Sequence, residues 1–129
     1  MKYLGIDYGE KNVGIAVSDD SGSLAFAKTI FNNDKQLLEN ILKICDEEKV
    51  EVIVMGDSFD FSGQPNNIMK GVLKFKKDLE KNDLIVYLEP EFLTSAEAER
   101  IQGKNDKIDA SAAALILKSY LDKKQLNDS

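Results

Sequence analysis

Three short apolar runs open the chain, and the segments between them are too short to hold a helix. Tyr3, Leu4 and Ile6 belong to the first, which ends on Asp7; "VGIAVSD" begins at Val13 and "LAFAKTI" at Leu24. Between them stand "YGEKN" and "DDSGS", both rich in turn residues. Parallel strands need a crossover of about a dozen residues or more, whereas antiparallel neighbours join through a few. The first third is therefore expected to be an antiparallel meander.

The pattern then changes to helix and strand in alternation. "NNDKQLLENILKICDEEK" puts Leu37, Leu38, Ile41, Leu42 and Cys45 on one face, with Asn33 as the expected N-cap. "VEVIVMGD" reads as a buried strand, "SFDFSGQPNN" as a loop, and Ile68, Met69, Val72, Leu73, Lys76 and Leu79 as one helical stripe. "DLIVYLE" is a fifth strand. "TSAEAERIQG" carries a capping box, Thr94 with Glu97, and a stop at Gly103. A final helix from about Asp109 to Lys123 should bury Ala112, Ala113, Ile116, Leu117 and Tyr120. Strands joined through single helices pack parallel by right-handed crossovers. The expectation is an α/β fold: one domain over residues 1–129, with a mixed five-stranded sheet and helices on both faces.

Composition narrows the chemistry. Acidic residues outnumber basic ones 23 to 17, for a net charge of −6, which opposes nonspecific binding to phosphate backbones. A local basic patch, or a cation bridging carboxylates to phosphate, remains compatible with that sign. No histidine and one cysteine, Cys45, leave no basis for a zinc site, a serine–histidine triad or an internal disulfide. No apolar run approaches the roughly 20 residues of a membrane span. The opening "MKYLGIDYG" lacks the apolar core of a signal peptide, so the expected location is cytoplasmic.

Several carboxylates are placed unusually. Asp7 ends the first strand, and the carboxyl ends of strands are where open α/β sheets bind ligands. Glu89 and Glu91 follow the fifth strand and share a face if the chain stays extended. Asp109 opens the last helix on the stripe of Ala112, Ala113 and Ile116, and Asp106 precedes it by three. Each has a local explanation: Asp7 as a turn cap in "DYGE", Asp109 as an N-cap, Glu89 as an exposed strand end. Taken together, converging carboxylates repel and shift one another's ionisation. A hard divalent ion relieves that repulsion, and an all-oxygen set suits Mg²⁺ or Mn²⁺.

"LGIDYGEKNVGIAVSD", "VIVMGDSFDFSGQPN", "EFLTSAEAE" and "KIDASAAALILKSYL" together resemble the YqgF/RuvX family, Holliday-junction-resolvase-like nucleases with an RNase H-like fold. The resemblance runs over nearly the whole chain. It implies a Mg²⁺- or Mn²⁺-dependent nuclease acting on structured nucleic acid, pre-16S rRNA or branched DNA, as a monomer or homodimer away from any membrane. By motif position Asp7, Glu91 and Asp109 take the places of the catalytic, metal-binding acids, with Glu89 and Asp106 as secondary candidates. The implied products are a 5′-phosphate and a 3′-hydroxyl. Some family positions differ: the hairpin arginine is Asn12, Gly-Leu-Pro is Gly56-Asp57-Ser58, and the fifth-strand motif has Pro90 and Phe92 for its aspartate and arginine. Lys11, Arg100, Lys104 and Lys107 are the candidate replacements for contacts to nucleic acid. Losing those arginines also admits a second reading, a nucleic-acid- or pre-ribosome-binding module with weakened catalysis. Phe59 and Phe61 in the long loop are expected to cover the core rather than stack on bases.

Overall fold

The computed structural model describes residues 2–57, 67–90 and 108–128. The opening runs are β1 (Lys2–Tyr8), β2 (Asn12–Ser18) and β3 (Ala25–Asn32). They pair antiparallel, β1 with β2 and β2 with β3, as the short connectors require. There follow α1 (Leu37–Glu48), β4 (Val50–Asp57), α2 (Asn67–Glu80), β5 (Ile85–Pro90) and α3 (Ile108–Asp128). β4 pairs parallel with β1 and with β5, giving the sheet order β3-β2-β1-β4-β5. The mixed five-stranded sheet is thus the one expected, with β1 at its centre. The segment with Thr94, Glu97 and Gly103 lies outside the described residues, as do Phe59 and Phe61.

Strand pleating sorts the core into two halves, because successive side chains point to opposite faces. Leu4, Ile6, Val13, Ile15, Ile53 and Met55 pack on one face against α1 and α2. Tyr3, Ala16, Val52 and Val54 pack on the other against Ala113, Ile116, Leu117 and Leu121 of α3. Each fully buried leucine or isoleucine stabilises the fold by about 1.5–3 kcal/mol. Among the described residues no helix is long and apolar enough to cross a membrane.

Two local expectations are corrected. The buried stripe of α2 is Met69, Val72, Phe75 and Leu79, while Leu73 is 45% exposed and Lys76 pairs with Glu80. Phe75 draws the helix round because its ring meets Tyr8, with centroids 5.6 Å apart. Asn33 does not cap α1. That helix starts after Gln36, which makes no side-chain cap bond, and Asp34 Oδ1 accepts the Gln36 amide instead. Cys45 is buried in the α1 face of the core, and desolvation pushes its thiol up to about 11.

The contact that seats α3 is made at a glycine. A Cβ on Gly5 would lie 2.8 Å from the Ala113 carbonyl oxygen and 2.8 Å from Leu117 Cβ. Helix backbone therefore rests directly on the central strand, which a larger residue there would prevent. Lys118 Nζ also donates to the Ser23 carbonyl, 3.4 Å away, tying α3 to the β2–β3 loop. That loop is organised by Asp19, whose carboxylate accepts from the Leu24 and Ser23 amides and from the Ser21 and Ser23 hydroxyls. These bonds, the Leu24 amide foremost, hold the carboxyl at about 2, below its usual 3.8.

Gly5→Ala should destabilise the protein by about 1–3 kcal/mol through overpacking, read as a lower denaturant midpoint with an unchanged slope. An unchanged midpoint would mean that α3 can lift without cost. Asp19 contributes in a defined pH window. Its folded value is depressed, so its stabilisation is complete above about pH 3.8 and is lost as pH falls towards 2. Asp19→Asn should therefore flatten the acid limb of a pH-stability curve in that range and nowhere else.

Candidate functional site at the end of the central strand

Tyr3 faces α3 and Gly5 touches it, so the pleat turns Asp7 to the same face, half-buried at the carboxyl end of β1. Its antiparallel partner is Gly14. On the other side, the parallel register that pairs Ile6 with Met55 runs on to Gly56, and Gly56 pairs with Glu89. Gly14, Asp7, Gly56 and Glu89 thus form a row across four strands. The neighbours of Asp7 in that row are both glycines.

The turn after Asp7 is braced from outside. Asn33 donates its side-chain amide to the Gly9 carbonyl at 2.7 Å and its backbone amide to the Lys11 carbonyl at 2.8 Å. The end of β3 thereby fixes the turn that follows the candidate acid. Spacing offers no hint of this clamp, since Gly9 and Asn33 are 24 residues apart. Lys11 is exposed in that same turn.

Glu89 is a buried carboxylate with protein partners. It accepts a hydrogen bond from Ser119 Oγ at 3.0 Å and pairs with Lys123 Nζ, one helical turn further along α3. Only 5% of its side chain is exposed, against 59% for that of Lys123. This bridge fastens the end of β5 to α3. Ser119 and Lys123 carried no signal in the sequence, because a serine and a lysine late in a helix read as ordinary surface.

The direction of α3 follows from its contacts along β1. Tyr120 and Lys124 meet the Tyr3 ring, and Ala113 and Leu117 meet Gly5. The helix therefore runs backwards along β1, and its first turn, which contains Asp109, lies towards the Asp7 end. From Gly5 to Asp7 is about 6.6 Å of strand, and from Ala113 back to position 109 about 6 Å of helix. Glu91, Arg100, Lys104, Asp106 and Lys107 lie outside the described residues. Among the described residues, no three groups able to ligate a metal stand together.

The class defined by this sheet and its helices is the RNase H-like resolvase fold. T. thermophilus RuvC in complex with Holliday junction substrate aligns with a TM-score of 0.64 at 15% identity, over 97% of this chain and 96% of that one. The fowlpox virus resolvase in complex with Holliday junction DNA gives 0.61 at 13%, over 96% and 99%. Among curated relatives named "Putative pre-16S rRNA nuclease", that of Nitratidesulfovibrio vulgaris is 36% identical, covering 94% of this chain and 93% of its own length. That of Lawsonia intracellularis is 34% identical, covering 97% and 96%. Residues 1–123 match the family model described as RuvX, Holliday junction resolvase, and the chain belongs to that family.

Glu89→Ala should lower stability by about 1–3 kcal/mol, as it removes the shared acceptor of Ser119 and Lys123 from a buried site. Thermal melting of Glu89→Ala, Lys123→Ala and the double variant measures the coupling. Strictly additive losses would show that the two side chains do not act on each other.

Proposed function

We propose that this chain is a divalent-metal-dependent nuclease of structured nucleic acid, with Asp7, Glu91 and Asp109 as its metal-binding acids. One domain spanning residues 1–129, working in the cytoplasm on the 5′ end of pre-16S rRNA, is the fuller form of that reading. The observation that carries it is the position of Asp7. It is a half-buried carboxylate at the open end of the central strand, flanked by two glycines, with the first turn of α3 directed towards it. Family membership and the relatives' names support the substrate class.

The donor set fits the ion. Aspartate and glutamate oxygens suit Mg²⁺ or Mn²⁺, and a chain with no histidine offers no competing nitrogen site. When bound, such an ion supplies Lewis-acid chemistry, drawing charge from a phosphodiester and acidifying water. The protein's part is placement. Asn33 holds the turn behind Asp7, Gly5 sets the depth and course of α3 and hence of Asp109, and the Glu89 bridge steadies the strand that leads to Glu91. The residues that would hold the ion are Asp7 on β1, Asp109 on α3 and Glu91, which follows β5 in the sequence. The weakened-catalysis reading draws on the exposed Asn12, which stands where the family's hairpin arginine would offer phosphate a cation.

The test pairs binding with cleavage. Wild type should bind Mn²⁺ in a calorimetric titration and cut a structured ribosomal precursor RNA or a four-way DNA junction only when Mg²⁺ or Mn²⁺ is added. Asp7→Asn should lose both, activity falling by more than about a hundredfold, since losing an outer partner alone typically costs 10–100-fold. Equal cleavage by wild type and Asp7→Asn would remove the nuclease assignment. Nucleic-acid binding with no cleavage by wild type would establish the binding-module reading in its place.

A further inference from the structure

We propose that the outward face of α2 is a nucleic-acid-binding surface, on which Lys70, Lys74, Lys77 and Lys81 form a ladder that grips the phosphates of a strand leading to the Asp7 end of the sheet. The proposal rests on the nuclease reading above and adds to it the surface that holds the substrate.

The four lysines recur at intervals of four, three and four residues, and all are exposed. At 3.6 residues per turn they stay within about 60° of one line along the helix. The buried residues Met69, Val72, Phe75 and Leu79 occupy the opposite side. Helical geometry reaches the last rung, because the Lys81 amide donates to the Lys77 carbonyl. Among the described residues none of the four belongs to an ion pair, although Lys76 beside them pairs with Glu80. Like charges at these spacings repel one another along the helix, and Asp78, four residues after Lys74, is joined to none of the four by an ion pair among the described residues. A polyanion laid along the line removes that repulsion.

Placement and chemistry both favour a nucleic-acid strand. A Cβ on Gly71 would lie 2.9 Å from the Tyr8 ring, so the start of α2 is packed against the residue that follows Asp7. The ladder begins at the same end of the sheet as Asp7, on the face opposite the one Asp7 shares with α3, and runs from that end for about 16 Å, the axial length of roughly five phosphates of one strand. Lysine contacts phosphate as a flexible point charge without reading sequence. A protein partner is less well matched. Protein interfaces are depleted of lysine and built on aromatic or aliphatic anchors, and among the described side chains of α2 only Leu73 is an exposed large apolar residue. A membrane surface would also require an apolar face for insertion.

Fluorescence anisotropy tests this with two labelled probes, an RNA hairpin with a single-stranded 5′ extension and a four-way DNA junction. Both are titrated in EDTA between 50 and 200 mM NaCl. The full chain carrying Lys70→Gln, Lys74→Gln and Lys77→Gln is compared with wild type. A charge-matched control carries Lys35→Gln, Lys43→Gln and Lys49→Gln, three exposed lysines outside α2. The ladder variant should bind about 10–100-fold more weakly at 100 mM salt, with a log–log salt slope shallower by about 2, from roughly 0.7 per phosphate contact for three lost contacts. The control should change affinity less than about threefold. Thermal melting of the ladder variant should equal or exceed that of wild type, because repulsion has been removed. Lys74→Glu provides a second, single-site variant with the same expected direction.

Wild-type affinity in the ladder variant, or equal weakening in both triple variants, would overturn the proposal while cleavage by wild type left the nuclease reading standing. Loss of binding to polyglutamate or to anionic vesicles, with nucleic-acid affinity intact, would also overturn it and point to another partner. Failure of wild type both to bind and to cleave either probe would bring down the surface and the nuclease reading together.

Discussion

The seating of α3 on Gly5 is the contact on which the rest of the arrangement depends. The helix backbone comes so near the central strand that even a methyl group at this position would collide with the Ala113 carbonyl. The approach fixes how deep α3 lies, and small residues on both sides, Ala16 below and Ala113 above, keep it there. The aromatic contacts of Tyr120 with Tyr3 and Tyr87 fix the direction in which it crosses. Asp7 is carried by the strand and Asp109 by the helix, so their relation is inherited from this packing and not from any local sequence rule.

Polar groups inside the fold serve the same end. Asn33 and Glu89 lie on different elements, yet each closes a gap between segments distant in the chain. Asn33 spans 24 residues to the turn after Asp7, and Glu89 spans 30 to Ser119. Both bonds are partly shielded from water, where an unmatched polar group would be costly. They make the edge of the sheet that holds Asp7 a rigid border. On the outer side of α2 the electrostatics are reversed, with cations left facing solvent and no carboxylate paired to them among the described residues. A molecule with an acidic total thus presents a basic line that starts at the same end of the sheet as Asp7, on the opposite face.

Much of this was legible in the residues. Connector lengths between the first three apolar runs required antiparallel pairing, and the alternation that follows required parallel addition of β4 and β5. Asp7 was recognisable because it ends the first apolar run and is followed by a turn. Most of each stripe on α1 and α3 was read from its spacing, although Ile44 and Leu121 are buried as well and Leu38, Leu42 and Tyr120 only partly so, and the family followed from the motifs. On α2 Met69, Val72 and Leu79 were read as buried and are, but Leu73 is exposed, Lys76 pairs with Glu80, and Phe75 takes the buried place with its ring against Tyr8. Asn33 looked like a helix cap because asparagine favours that role locally. Its actual partner, the Gly9 carbonyl, is brought to it only by the β2–β3 pairing.

The sequence by itself determined which of the described segments are strands and helices, which strands run antiparallel, the family, and the carboxylate at the end of the first strand. These follow from periodicity and from connector length, both local properties of the chain. Only the tertiary structure decided that Gly14 and Gly56 flank Asp7, that Glu89 is held by Ser119 and Lys123, and that α2 starts beside Tyr8. Those relations depend on register and on interhelical depth, which are set by side-chain volume and hydrogen bonding between segments far apart in the chain, and no local pattern encodes them.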